Sequence, residues 1–153
     1  MTHGAAIVQK FIRAIAQDPL SLSGSGISRN VWRLEGRVER TEVRGLLYVK
    51  GRAAPPLKWG VTGTVVERLQ AQRSPWMLVL LHETHDCGYL LRDKEVIERI
   101  QGSVWPLGRD GDYKPAAGRY LANAGHFTSL QEFLSGFAGA CSADGGLTHG
   151  GGN

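Results

Sequence analysis

The chain has 153 residues, 42% of them apolar and 21% charged, which fits one folded domain and excludes a low-complexity or disordered polymer. No apolar run approaches the ~20 residues of a membrane-spanning helix, and the N-terminus MTHGAAIVQKFIRAIAQDP lacks the unbroken apolar core of a signal peptide. No membrane partner and a cytoplasmic location are therefore expected. The net charge is +4, but residues 29–58 carry eight Arg or Lys against three Glu, a local excess of +5 that leaves about −1 for the remainder. A local basic face is a footprint for polyanions, so DNA or another nucleic acid is the expected partner.

Ala5–Gln17 places Ile7, Val8, Phe11, Ile12 and Ile15 on one helical stripe, ended by Asp18-Pro19. SLSGSG reads as a flexible connector. From Val31 to Arg40 the pattern alternates strictly, with Trp32, Leu34, Gly36 and Val38 on one face and Arg33, Glu35, Arg37 and Glu39 on the other. A turn near Arg40–Glu42 leads to the more apolar strand Gly45–Arg52, completing a β-hairpin. After a Pro-containing loop, Trp59–Gln72 reads as a helix, and Trp76–Leu81 as a strand covered on both faces.

His82–Cys87 is a polar turn before the strand Gly88–Arg92, and Asp93 is placed to cap the helix Lys94–Gln101. Residues 108–118 are turn-rich, and Ser129 with Glu132 fits a capping box for a last helix with Leu130, Phe133, Leu134 and Phe137 on its inner side. These elements predict one α/β domain over residues 1–138, followed by a Gly-rich disordered tail over 139–153. Two cysteines, Cys87 and Cys141, are too few and too scattered for a disulfide framework, so both are expected as thiols.

Residues two apart on a strand share a face, so Tyr48, Lys50 and Arg52 project together. Depending on register, Glu35 or Glu39 lies on that same face across the hairpin. Carboxylates that hold Mg²⁺ beside a Lys that steadies a phosphate are the groups metal-dependent phosphodiester cleavage needs. The competing reading is a solvent-facing ribbon whose Arg and Glu form cross-strand ion pairs. Trp59 and Thr62 open the next helix, where an indole can stack on a base and an N-terminal amide can take a phosphate, or where they simply plug and cap. Cys87 with two histidines of the HETHDC stretch has zinc-ligand chemistry but lacks a fixed ligand spacing, and a turn is needed there anyway. Asp110-Gly111-Asp112-Tyr113-Lys114 reads as a turn, and His126 and His149 have no partner in the sequence.

The order helix, hairpin ending in Lys50, helix, apolar strand, carried by LLYVKGR, KWGVTGTVVERLQAQ and WMLVLL, resembles the core of the PD-(D/E)xK (restriction-endonuclease-like) nucleases over roughly residues 5–99. The resemblance implies a mixed central sheet of about four or five strands flanked by helices. It also implies a Mg²⁺-dependent endodeoxyribonuclease activity. Lys50, Glu35 and Glu67 would then be the catalytic residues and Glu35, Glu39 and Glu67 the metal ligands, with Glu42 a further candidate. The chain departs from the family pattern at Tyr48, where an acid is expected two residues before the Lys, and has no Asp between Asp18 and Asp86. The alternative is a non-catalytic DNA- or RNA-binding or protein-interaction module on the same scaffold. In either case Arg33, Arg37, Arg44, Arg52, Lys58, Trp59 and Thr62 are the nucleic-acid-binding candidates. A third reading pairs the hairpin edge of two copies into a homodimer.

Overall fold

The computed structural model describes residues 2–150, with side chains described through Cys141. The chain is α/β, with a mixed six-stranded sheet between two helical layers. In chain order, α1 (His3–Ile15) precedes an antiparallel meander of β1 (Leu20–Gly24), β2 (Val31–Val38) and β3 (Thr41–Arg52). A two-residue strand β4 (Val61–Thr62) and helix α2 (Gly63–Gln70) then lead to β5 (Trp76–His82), which runs parallel to β3. Next come β6 (Gly88–Arg92), α3 (Asp93–Gln101), β7 (Asp112–Tyr113), a short 3-10 turn, β8 (Gly125–Phe127) and α4 (Leu130–Gly150). The sheet order is β1-β2-β3-β5-β6-β8, while β4 and β7 form a separate small ribbon.

β5 explains the layering. All of Trp76–Leu81 is buried, and its residues alternate between two cores. Met77, Val79 and Leu81 face Val8, Phe11, Ile15, Phe133 and Phe137 of α1 and α4. Trp76, Leu78 and Leu80 face Val66, Leu69 and Val96 of α2 and α3. A strand with helices on both sides has no solvent face, so its sequence is continuously apolar. α1 seats unusually close to β3. A Cβ added to Gly4 would lie 2.5 Å from the Gly51 carbonyl oxygen, and one added to Gly51 2.6 Å from that of Gly4, so only glycine permits this approach.

Several expectations are corrected. SLSGSG is not a loose connector, because Leu20–Gly24 pairs with β2 as strand β1, and Leu20 is buried. That pairing removes the hairpin edge on which a dimer sheet would form: β2 is covered by β1, β3 by β5, and the sheet's outer strands are β1 and β8. The second helix begins at Gly63 rather than Trp59, because residues 61 and 62 are taken by pairing with β7. The three-residue β8 was not foreseen. Helix α4 keeps the expected inner stripe, and burial continues to Ala140. The expected tail over 139–153 lies partly outside the described residues. Cys87 and Cys141 form no disulfide.

Candidate functional site

The C-terminal end of β3 brings the first group of polar residues together. Tyr48 is buried, and its phenol oxygen accepts a hydrogen bond from the Thr62 amide at 3.0 Å. Thr62 pairs with Asp112 in the β4–β7 ribbon, so the Tyr48 hydroxyl fixes the strand that presents this acid. The Asp112 carboxylate lies over Gly60, where a Cβ would meet Oδ2 at 2.9 Å. Lys114 Nζ donates to Asp110 at 2.7 Å and stands 4.0 Å from Asp112.

Two residues beyond Tyr48, half-buried Lys50 lines a cleft of about 590 Å³ with Thr2, Gln9, Arg29 and Asn30. Burial holds the Lys50 ammonium below the usual lysine range. Asp112 opposes that shift, while Arg29 and Lys114 add to it. Lys50 therefore feels three charged neighbours, two of them cations. Burial also raises the Tyr48 phenol, against the Thr62 hydrogen bond, which lowers it.

The glutamates expected beside Lys50 lie elsewhere. The register pairs Glu35 with Arg44 and Glu42 with Arg37. Glu35 and Arg44 form an exposed ion pair at 3.7 Å. Arg44 is six positions from Lys50 along β3, roughly 20 Å at about 3.3 Å per residue. Glu39 occupies the hairpin turn at φ 54°, and Glu67 is exposed on α2. Glu35, Glu39 and Glu67 form no ligand group among the described residues: hairpin register sets Glu35 beside Arg44, Glu39 sits in the turn, and Glu67 belongs to α2.

The basic candidates divide. Arg37 and Arg44 lie toward the hairpin turn, and Arg33 lies near the start of β2, three residues from the cleft residue Asn30, but none of the three lines the cleft. Arg52 is exposed at the end of β3, but its Nε donates to the carbonyls of Ala54 and Pro56 at 3.1 and 3.0 Å, ordering the loop. Lys58 is exposed and bridges Ala116 through its backbone. Trp59 is a packing residue and no stacking platform: it is only 3% exposed, and its indole N–H donates to the Leu81 carbonyl at 2.9 Å. Thr62 makes no side-chain cap for α2. Sequence reasoning missed Arg29 as a cleft residue and Asp112 as the acid acting on Lys50. The DGD turn was visible, but nothing in its spacing pointed to Lys50.

A second group gathers at the end of the neighbouring strand β5. His82, Cys87 and His126 bring their ligand atoms within 4.8 Å of one another. The two histidine Nε2 atoms are 3.0 Å apart, and Cys87 Sγ lies 3.5 Å from His82 Nε2 and 4.0 Å from His126 Nε2. Register accounts for the meeting. The His82 amide donates to the Cys87 carbonyl where β5 passes into β6, and Tyr89, two residues on, pairs with His126 on β8. His85, the nearer histidine in sequence, is not part of the group. Burial raises the Cys87 thiol, with Asp86, Glu83 and Glu132 adding to the shift. Burial lowers His126, helped by His82 and opposed by Glu132.

No helix among the described residues is long and apolar enough to cross a membrane. No protein-family model, curated protein or solved structure matches the chain.

Proposed function

We propose that the chain is a nucleic-acid-binding protein on a scaffold related to the PD-(D/E)xK nucleases, and that it grips phosphates at the cleft end of β3 without cutting them. The observation that carries this reading is the cleft shared by Arg29 and Lys50, with Lys114 close enough to act on Lys50 and a single acid, Asp112, among the charged groups that do. An excess of cations in a concave, partly dehydrated site favours a phosphate more than an exposed basic ribbon does. The helix, the meander whose last strand carries Lys50, the crossover through α2 and the parallel strand β5 support the architectural relation.

Mg²⁺ fits this site poorly. The ion takes one or two carboxylates plus substrate oxygens. Asp112 already faces Lys114, and Glu35, Glu39 and Glu67 lie elsewhere. Asp112 is better matched to balancing Lys50 and Lys114.

Fluorescence anisotropy with single-stranded and duplex DNA or RNA across a salt series tests the reading. Affinity should fall steeply with salt, and Arg29→Ala and Lys50→Ala should each flatten the logarithmic slope by roughly 0.7–0.9 per lost phosphate contact. Absence of salt-sensitive binding to every probe overturns the proposal. Mg²⁺-dependent cleavage that Asp112→Asn abolishes would instead establish the nuclease reading.

A further inference from the structure

We propose that His82, Cys87 and His126 form a binding site for a zinc-class transition-metal ion, with two imidazole nitrogens and one thiolate as ligands and one position left open. Zinc bonds of about 2.0–2.1 Å to nitrogen and about 2.3 Å to sulfur, set at tetrahedral angles, separate nitrogens by about 3.3 Å and nitrogen from sulfur by about 3.6 Å. The observed separations are 3.0 Å for the nitrogen pair and 3.5 and 4.0 Å for the sulfur. An opening of a few tenths of an ångström between the rings accommodates the ion. His126 can supply it, being exposed on a three-residue strand at the sheet edge.

The surroundings match a cation as well. Glu83 Oε1 lies 3.3 Å from His82 Nδ1, placed to accept an Nδ1–H, and in that tautomer the lone pair is on Nε2, which stands 3.0 Å from His126 Nε2 and 3.5 Å from Cys87 Sγ. A carboxylate behind a ligating imidazole is the usual second partner at zinc sites, since it fixes the tautomer and raises ligand basicity. Glu83, Asp86 and Glu132 all act electrostatically on the sulfur, so the local field is negative although the protein as a whole is basic. On binding, the thiol gives its proton to solvent, and the hydrogen shared between the two Nε2 atoms is exchanged through solvent to His126 Nδ1, so both imidazoles ligate as neutral Nδ1–H tautomers and one proton is released in all. Nitrogen and sulfur donors select zinc-class ions over Mg²⁺, which prefers oxygen.

Three protein ligands with an open fourth position are the stoichiometry of reactive zinc rather than of closed structural zinc. The register sets Arg52 opposite His82 and Lys50 opposite Leu80, so the ion would sit at the same end of the sheet as the Arg29–Lys50 cleft. The inference does not depend on nucleic-acid binding.

Cobalt substitution tests it on untagged full-length protein freed of metal by chelation. One equivalent of Co²⁺ should produce near-ultraviolet thiolate-to-cobalt charge transfer and tetrahedral visible bands, and one equivalent of Zn²⁺ should bleach them. Mg²⁺ should do nothing. Cys87→Ser should abolish the charge-transfer band, while Cys141→Ser retains it. His126→Ala and Glu83→Gln should each weaken Co²⁺ binding by about 10-fold or more. Far-UV circular dichroism confirms that each variant is folded. No stoichiometric band, or a band that survives Cys87→Ser, overturns the proposal and leaves a hydrogen-bonded histidine pair. Should Cys87→Ser fail to fold, unchanged affinity in His126→Ala is the outcome that overturns it.

Discussion

The backbone amide of Thr62 donates to the Tyr48 phenol oxygen at 3.0 Å, so a side chain on the central strand holds the segment that presents Asp112. Tyr48, two residues before Lys50 on β3, thereby serves as a structural tie. Tyr48→Phe removes the acceptor and leaves the amide without its partner. A loss of about 1–3 kcal/mol is expected, read as a lower urea midpoint at unchanged m-value. Because Asp112 is released from its register, DNA affinity should change as well.

Lys50 binds its proton less tightly in the folded chain than in the unfolded one, chiefly through burial. Between the two pKa values the unfolded state holds more protons, so this group's contribution to stability rises with pH through that window and is lost as pH falls through the folded value. Lys50→Met should therefore stabilise the protein near neutral pH, by an amount that shrinks as the solution is made alkaline. DNA affinity should run the opposite way, weakening as pH rises through a value below the ordinary lysine range. Lys50→Arg, which stays charged, should abolish that dependence.

Gly4 and Gly51 set the distance between α1 and the end of β3. Gly51→Ala puts a methyl group against the Gly4 carbonyl and Val8, with overpacking costing about 1–3 kcal/mol. Since Gly4, Gly51, Arg29 and Lys50 line one cleft, the same substitution should weaken phosphate binding without altering any charge. Thermal melts and anisotropy titrations on one sample read both effects.

Trp59→Phe separates packing from recognition. The buried indole donates to Leu81 and packs edge-on against Tyr89 at 6.1 Å. Loss of that donor should lower stability by about 1–2 kcal/mol. Nucleic-acid affinity should be unchanged once folding is allowed for, and a tenfold loss in the folded variant would restore the stacking role.

Glu35→Gln should shift stability by less than about 1 kcal/mol, because its pair with Arg44 is exposed and screened. Metal-dependent signals of any kind should survive it. A metal response that vanishes in Glu35→Gln would return the hairpin carboxylates to the centre of the chemistry.

Periodicity made much of the architecture legible in advance. The stripe Val8, Phe11 and Ile15, the strict alternation of β2, the unbroken apolar run of β5 and the inner face of α4 each state locally which side of the element must leave water. What escaped were short pieces whose burial pattern is too brief to carry a period: β1, the β4–β7 ribbon and β8. β1 was further disguised by serine and glycine, residues that usually mark a connector.

The chemistry divides along the same line. Strand alternation sufficed to put Tyr48, Lys50 and Arg52 on one face, and local charge counting located the basic hairpin. Pairing register then carried Glu35 to Arg44 and away from Lys50, and ribbon pairing carried Asp112 toward it. Cys87 met His126 across 39 positions, while His85, two residues away, stayed outside the cluster. Local order follows from neighbours along the chain, whose spacing is written in the residues themselves. Groups that must converge on one ligand are set by which strands lie side by side, and no run of residues encodes that alone.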